Sequence, residues 1–397
     1  MSNGHGVATA AGRDLRLDFF RGLALFSIFI DHIPGNVLGQ FTMQAAGFSD
    51  AAEVFILISG YAAGMVYGRI YDRQGMLWAT ARIFHRVWQL YIAHVFLFML
   101  FMATVAHTIG VLNNVLYAEE FRAADFLKEP DIAIVKALTL QFQPAFMDIL
   151  PVYIVLLGSL PLVLLGFRRW PGPVMAASFA LWLAVQLFRG NGLALPAYPG
   201  PNQVWFFNPF AWQLLFFLGA WFGWKGANTP DWLRSRWLLW LAIAIAAAGF
   251  VIRTSWTIHF YYDPFPPFFA QQLWPNLSKT DLSAGRLVDV LALALVVAHL
   301  VHPQARFLAG RIAQPFVMCG RHSLHVFCLG ILLSVIAHLV LNEYFGGIAL
   351  QLTVSAAGIA IMVGVAALMD WFATVKPSSP TARQAPHDVM TGAGGGS

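Results

Sequence analysis

Residues 17–36 read LDFFRGLALFSIFIDHIPGN, an apolar run that nonetheless carries Asp18, Arg21, Asp31 and His32. A helix of about 20 apolar residues crosses the hydrocarbon core of a bilayer. Ionisable groups at that depth are costly and ordinarily face a cavity, a pathway or one another. Arg21 and His32 stand eleven residues apart. That is three turns with about 20° of drift, so both project from one helix face, separated in depth by about 16 Å. Asp18 reaches Arg21 across one turn, whereas Asp31 and His32, as immediate neighbours, point in different directions.

The remainder of the chain extends this reading. Of 397 residues, 58% are hydrophobic and 11% charged, against about 25% charged in a soluble domain. The mean hydropathy is +0.65. Stretches 87–118, 190–224 and 344–369 contain no Asp, Glu, Lys or Arg. The expected fold is an all-α polytopic integral membrane protein, a bundle of about ten transmembrane helices. The predicted spans are 15–36, 49–68, 86–110, 148–167, 173–189, 208–225, 234–252, 286–302, 318–341 and 346–371. Three parts follow: a tail over 1–14, a ten-helix domain over 15–372, and a polar tail over 373–397. The final GAGGGS has the composition of an artificial linker and stands outside the fold.

Loop charge orients the bundle. With the N-terminus inside, the inner segments hold Arg13, Arg16, Arg69, Arg73, Arg82, Arg86, Arg168, Arg169, Lys225, Arg234, Arg236, Arg306, Arg311, Lys376 and Arg383. The outer segments hold Arg122, Lys128, Lys136, Arg189, Arg253, Lys279 and Arg286. Fifteen against seven obeys the positive-inside rule and predicts that both termini are cytoplasmic. The first span follows a polar, weakly basic start without a small-residue cleavage pattern, so it is expected to act as its own insertion signal. The net charge of +5 and pI near 9.3 are explained by this topology, and no nucleic-acid partner is expected. Cys319 and Cys328 are nine apart in one apolar run, too far along a helix to bridge, and read as small buried hydrophobes.

The second span, FSDAAEVFILISGYAAGMVYGR, runs from outside to inside. It brings Asp50 and Glu53 to the depth of His32, takes Ser59, Gly60 and Tyr61 inward, and leaves Arg69 at the cytoplasmic surface. A carboxylate beside a neutral imidazole can fix the ring so that its other nitrogen accepts a proton. Interface charges that snorkel or pair would give the same residue pattern. The outer connections 190–207 and 253–285 are rich in Pro, Asn and aromatics. They suit either the membrane interface or a cleft that stacks on sugars. No internal repeat is evident, which disfavours transporters built from inverted halves. The sequence contains no P-loop, no GxSxG elbow and no HExxH. Its histidine pairs, in HRVWQLYIAH (85–94) and HLVH (299–302), form no convincing metal set, so no metal is expected.

RGLA at 21–24, His32 eleven residues after Arg21, and FILISGY at 55–61 together resemble the membrane acyltransferase family three. FMDILPVYIVLLGSLPLVLL (146–165), NPFAWQLLFFLGAWFGW (208–224), SAGRLVDVLALALVVAHL (283–300) and CGRHSLHVF (319–327) narrow the likeness to its OpgC-type branch. That branch attaches succinyl groups to osmoregulated periplasmic glucans, and the resemblance spans roughly residues 13–370.

The resemblance implies an acyl-CoA-dependent O-acyltransferase of the bacterial inner membrane, with succinyl-CoA as donor substrate and no permanently bound cofactor. Its implied partners are acyl-CoA, the periplasmic glucan and the lipid bilayer, with other glucan-synthesis proteins or a second copy of the chain as further candidates. Cytoplasmic donor phosphates call for Arg21, Arg69, Arg82, Arg86 and Arg321, with His85, His322 and His325 nearby. Arg82, His85 and Arg86 share one helix face, and a guanidinium matches phosphate geometry. On the outer side His32 would be the general base, oriented by Glu53 or Asp31. Asn208, Gln213, Ser59 and Tyr61 are candidate oxyanion donors, and Asp148, a further polar group at this depth, is with Asn208 and Gln213 also a candidate contact for the acyl carboxylate or the glucan. A succinyl group keeps a free carboxylate, and Arg286, with Lys279 near it, is the candidate contact for that carboxylate or for the glucan. Two alternatives remain: an O-acetyltransferase of another envelope glycan, and a small-acid or glycan transporter using the same charges as a proton relay.

Overall fold

The computed structural model describes residues 14–188, 192–200, 203–226 and 229–375. Most of the two tails, with Arg13, Lys376 and Arg383 of the loop-charge count, lies outside the described residues, as does Arg189. The first three helices are α1 (Leu15–Asp31), α2 (Ala51–Gln74) and α3 (Met76–Leu112). Three short helices follow, α4 (Leu116–Glu120), α5 (Ala124–Lys128) and α6 (Pro130–Leu138). Next come α7 (Ile149–Arg169), α8 (Pro171–Leu187), α9 (Pro209–Lys225), α10 (Arg236–Tyr261), the short α11 (Ala270–Leu273) and α12 (Ala284–Leu300). The chain closes with α13 (Gln314–Arg321), α14 (Ser323–Glu343) and α15 (Ile348–Val375). Among the described residues there is no β-strand.

Six helices, α2, α3, α7, α10, α14 and α15, are long and apolar enough to cross a membrane. The predicted spans around α1, α8, α9 and α12 are helices of 17 residues each. α2, α7 and α14 are half or more buried within the bundle, whereas α3, α10 and α15 turn most of their surface outward. Outward-facing Trp237, Trp240 and Phe250 on α10 suit a lipid environment, where apolar surface carries no penalty.

Three differences from the sequence-based spans matter for the site. Helix α3 begins at Met76, ten residues before the predicted 86. Gly75, at φ 88°, ends α2 and reverses the chain, and nothing after it interrupts the helix. Helix α10 continues to Tyr261 and carries Arg253 within it rather than in a loop. The predicted span 318–341 is broken at His322, which leaves helical geometry at ψ 32°. The break brings the His322 Nε2 to 2.8 Å from Asp370 on α15, with Arg321 3.4 Å from the same carboxylate.

The tightest packing is between α2 and α9. Gly60 and Gly64 of α2 lie against the carbonyls of Phe216 and Ala220, and Gly219 and Gly223 of α9 against those of Leu57 and Tyr61. Each helix therefore presents a GxxxG pair, the device that lets backbones approach closely where lipid offers no hydrophobic driving force. Gly22 of α1 and Gly320 of α13 meet in the same way, against Phe316 and Asp18. These contacts fix α1 and α2, which carry the charges of interest, to the centre of the bundle.

Candidate active site

Helix α1 starts at Asp14, whose side chain accepts from the Arg16 amide, an N-cap of ordinary kind. It ends at His32, followed by Pro34 and Gly35, the latter at φ 72°. The His32 ring packs 4.7 Å from the Phe146 ring. Its Nδ1 is buried and has no hydrogen-bond partner. Asp31 turns away, accepting from Thr42 Oγ1 at 2.7 Å and from Gln44 Nε2 at 3.1 Å.

At the same end, Asp50 caps α2. Its Oδ1 accepts from the Ala52 amide at 2.9 Å, and Glu53 Oε2 accepts from the Asp50 amide at 3.0 Å. This reciprocal pair is a capping box. Two cations from distant sequence close on it. Arg286, in the first turn of α12, donates from Nε to Glu53 Oε1 at 2.6 Å and from a terminal nitrogen to Asp50 Oδ2 at 2.9 Å. Lys279 Nζ lies 2.7 Å from Asp50 Oδ2. Burial lowers the Lys279 pKa, but Asp50 and Glu53 more than offset this and hold it above its ordinary value. The four side chains bind α2 to α12 through a buried, mutually neutralised network.

This geometry corrects several expectations. Neither Glu53 nor Asp31 is hydrogen-bonded to His32. Both Glu53 oxygens are engaged by Arg286 and the Asp50 amide. Arg286 and Lys279, expected as contacts for the acyl carboxylate or the glucan, are held by Asp50 and Glu53. Asn208 is the N-cap of α9; its Oδ1 accepts from the Phe210 amide and its Nδ2 donates to Leu193 O and Asp281 Oδ1. Gln213 accepts from Ser178 Oγ at 2.5 Å and donates to Ser178 O at 2.8 Å, locking α8 to α9. Their amide hydrogens are already donated, from Asn208 to the loop residues Leu193 and Asp281 and from Gln213 to Ser178 O and Phe210 O. Asp148 precedes α7 with a buried Oδ1 that has no partner, two residues from the Phe146 ring over His32.

The Arg21 end of α1 opens on a cavity of about 170 Å³. Arg21, Ser59, Tyr67, Arg86, Tyr153 and Ser323 supply its polar wall. Along α2 it runs from Tyr67 to Phe55, about 18 Å of helix. Leu150 of α7, near Asp148, also borders it. Two of the five predicted donor arginines, Arg21 and Arg86, thus meet in one cavity. Arg69 and Arg82 are exposed at the surface, and Arg321 is paired with Asp370. Of the neighbouring histidines, His85 contacts Gln89, His322 pairs with Asp370, and His325 is exposed. Ser59 faces the cavity, whereas Tyr61 is not part of its wall.

Tyr67, Tyr153 and Ser323 were not singled out in the sequence, and neither was Asp289. In the middle of α12, Asp289 Oδ2 accepts from the amides of Phe48 and Ser49 at 3.1 and 2.8 Å and from Ser49 Oγ at 2.5 Å. Gly47 and Gly249 leave room for it, since a Cβ at either would collide with the carboxylate. Asp289 thereby fixes the segment that delivers Asp50. Its signal was available: a lone acid inside the apolar run LVDVLALALVV.

A family model described as OpgC protein matches residues 13–374. The chain belongs to the OpgC protein family. No curated protein matches the sequence. Membership gives this OpgC-family chain a membrane-associated, acyltransferase-type role in glucan modification. In the OpgC-family chain the Arg21–Arg86 cavity and the His32 end are separate parts of one bundle, joined along α1 and α2.

Proposed function

We propose that this protein transfers a succinyl group from cytoplasmic succinyl-CoA to glucose hydroxyls of periplasmic glucans. It does so as a member of the membrane acyltransferase family three, seated in the bacterial inner membrane. All ten long segments cross the bilayer, with α13 and α14 acting as one broken span and both termini in the cytoplasm. The observation that carries this reading is the cavity that gathers Arg21 and Arg86 and extends along α2 toward the end where His32 keeps an unpartnered ring nitrogen.

Arg21 and Arg86 receive donor phosphates, for which guanidinium is the suited cation. At the far end the neutral imidazole of His32 accepts the proton of a glucan hydroxyl. The oxygen attacks the thioester carbonyl carbon, an ester C–O bond forms and the C–S bond breaks. The imidazolium then returns its proton to the departing CoA thiolate. Ser59, in the cavity wall, is the remaining sequence-derived candidate for a hydrogen-bond donor to the acyl group.

Mass spectrometry of periplasmic glucans from cells with and without the protein tests this. A base-labile gain of one succinyl unit, present only with the protein, is the expected result. A gain of acetyl units would make it an O-acetyltransferase, and solute movement without new ester would make it a transporter.

A further inference from the structure

A second cavity lies at the His32 end, apart from the Arg21–Arg86 cavity. Its volume is about 330 Å³, within the range of about 300–1,000 Å³ common for small-molecule sites. Its walls are the segment 44–50, the outer half of α10 and the segment 274–278, with Arg286 of α12 at its edge.

Three features of the wall point to a ligand. Arg253 reaches in from α10 and donates from Nε to Gln44 O at 3.3 Å. Among the described residues no carboxylate lies within ion-pairing distance of it. Asp50 and Glu53 are held by Arg286 and Lys279, Asp31 by Thr42 and Gln44, and Asp289 by the Phe48 and Ser49 amides. A guanidinium in a partly dry cavity that has no carboxylate in direct contact, and only the more distant charge of Asp31 acting on it, is suited to an incoming anion. Trp256 is buried and fixed by its indole N–H, which donates to Phe268 O at 2.7 Å. Trp274 stands edge-to-face on it at 5.6 Å and remains 66% exposed. An exposed indole on a rigid backing is a platform for the C–H face of a sugar. Ser49, Ser278 and Gln44 line the same space; their donor hydrogens go to Asp289, Asp281, and Asp31 with Gly39 O, so what they offer a ligand is acceptor oxygens. A sugar hydroxyl can donate to such oxygens, whereas a phosphate diester has no hydrogen to give.

We propose that this cavity is a subsite for an acidic sugar chain, with Trp274 stacking on a pyranose ring and Arg253 pairing with a carboxylate already carried by the chain. It rests on the glucan reading above and adds that partly acylated glucan binds better than neutral glucan. Product of one transfer is then the preferred acceptor of the next.

The test uses the full chain in lipid nanodiscs, with a neutral β-glucotetraose and the same tetrasaccharide bearing one succinate half-ester. Tryptophan fluorescence reads binding, and succinyl transfer reads kcat and KM for each acceptor. The acidic probe is expected to bind at least ten-fold tighter than the neutral one. Arg253→Gln, which keeps a hydrogen-bonding amide without charge, is expected to remove at least ten-fold of that preference, and Arg253→Lys to restore part of it. Trp274→Ala is expected to raise KM for both acceptors with little change in kcat. Equal binding of the two probes, or a preference untouched in Arg253→Gln, overturns the subsite. So does a fluorescence response to phosphatidylglycerol in the nanodisc and none to either sugar. Saturable, Arg253-dependent binding without any succinyl transfer would defeat the proposed function while leaving the subsite standing. Transfer without Arg253-dependent binding would do the reverse.

Discussion

His32 and Glu53 sit at the same end of the bundle, yet their surroundings assign them different work. The His32 Nδ1 is buried without a partner, while Glu53 is wholly buried and bonded on both oxygens. His32→Ala is therefore expected to reduce transfer by at least ~100-fold, the scale of a lost general base. Membrane insertion and thermal unfolding should remain those of the wild type. Glu53→Ala is expected to act on stability first, because Arg286 would keep a buried charge with half its partners. Removing one member of a buried pair costs about 3–5 kcal/mol, read as a large drop in unfolding temperature in detergent. Arg286→Ala should impair succinyl and acetyl transfer alike; a selective loss of succinyl transfer would restore Arg286 as a carboxylate clamp. The distinction was partly legible in the sequence. Asp50-Ala-Ala-Glu53 is itself the D-x-x-E signature of a capping box. That local meaning takes precedence over a role toward His32, since both oxygens of Glu53 are already committed. The convergence of Lys279 and Arg286 on it was not legible, because it depends on how α12 docks.

At the scale of elements, α2 and α9 carry the frame. Their facing GxxxG pairs leave no room for a side chain, so Gly64→Leu would drive a branched group into the Ala220 carbonyl. Loss of folded protein, read by size-exclusion yield and thermal unfolding, is the expected outcome. A variant that folds and transfers normally would show that the two helices tolerate separation. Asp289→Ala is expected to loosen the segment before Asp50 and depress turnover more than its distance from His32 suggests. Nine of the ten predicted spans each overlap one α-helix, and the tenth, 318–341, overlaps α13 and α14, because apolar length is a strong signal that tertiary packing rarely reverses. The break at His322 was hidden, since no Pro or Gly pair follows it and the partner that its ring meets there, Asp370, lies 48 residues onward. The extension of α10 over Arg253 was hidden for a related reason. A single charge was read as the edge of the membrane, whereas the helix continues past it to Tyr261.

Across the whole molecule, charges concentrate at two ends of one packed core. Arg21 and Arg86 share a cavity at one end, and His32 faces Phe146 at the other. Substituting Arg21 or Arg86 by Ala is expected to raise the KM for acyl-CoA by about ten-fold or more, since each donor–phosphate bond of this charge-assisted kind contributes about 1.5–3 kcal/mol. An unchanged donor KM in both variants would detach the cavity from donor binding. The central claim is that donor and acceptor meet from opposite faces of the membrane. Sealed vesicles containing the protein, loaded with isotope-labelled succinyl-CoA and bathed in glucan, test it most directly. Labelled glucan ester in the external medium, lost in His32→Ala, is the predicted result. Ester that forms only when donor and glucan are placed on the same side would contradict it.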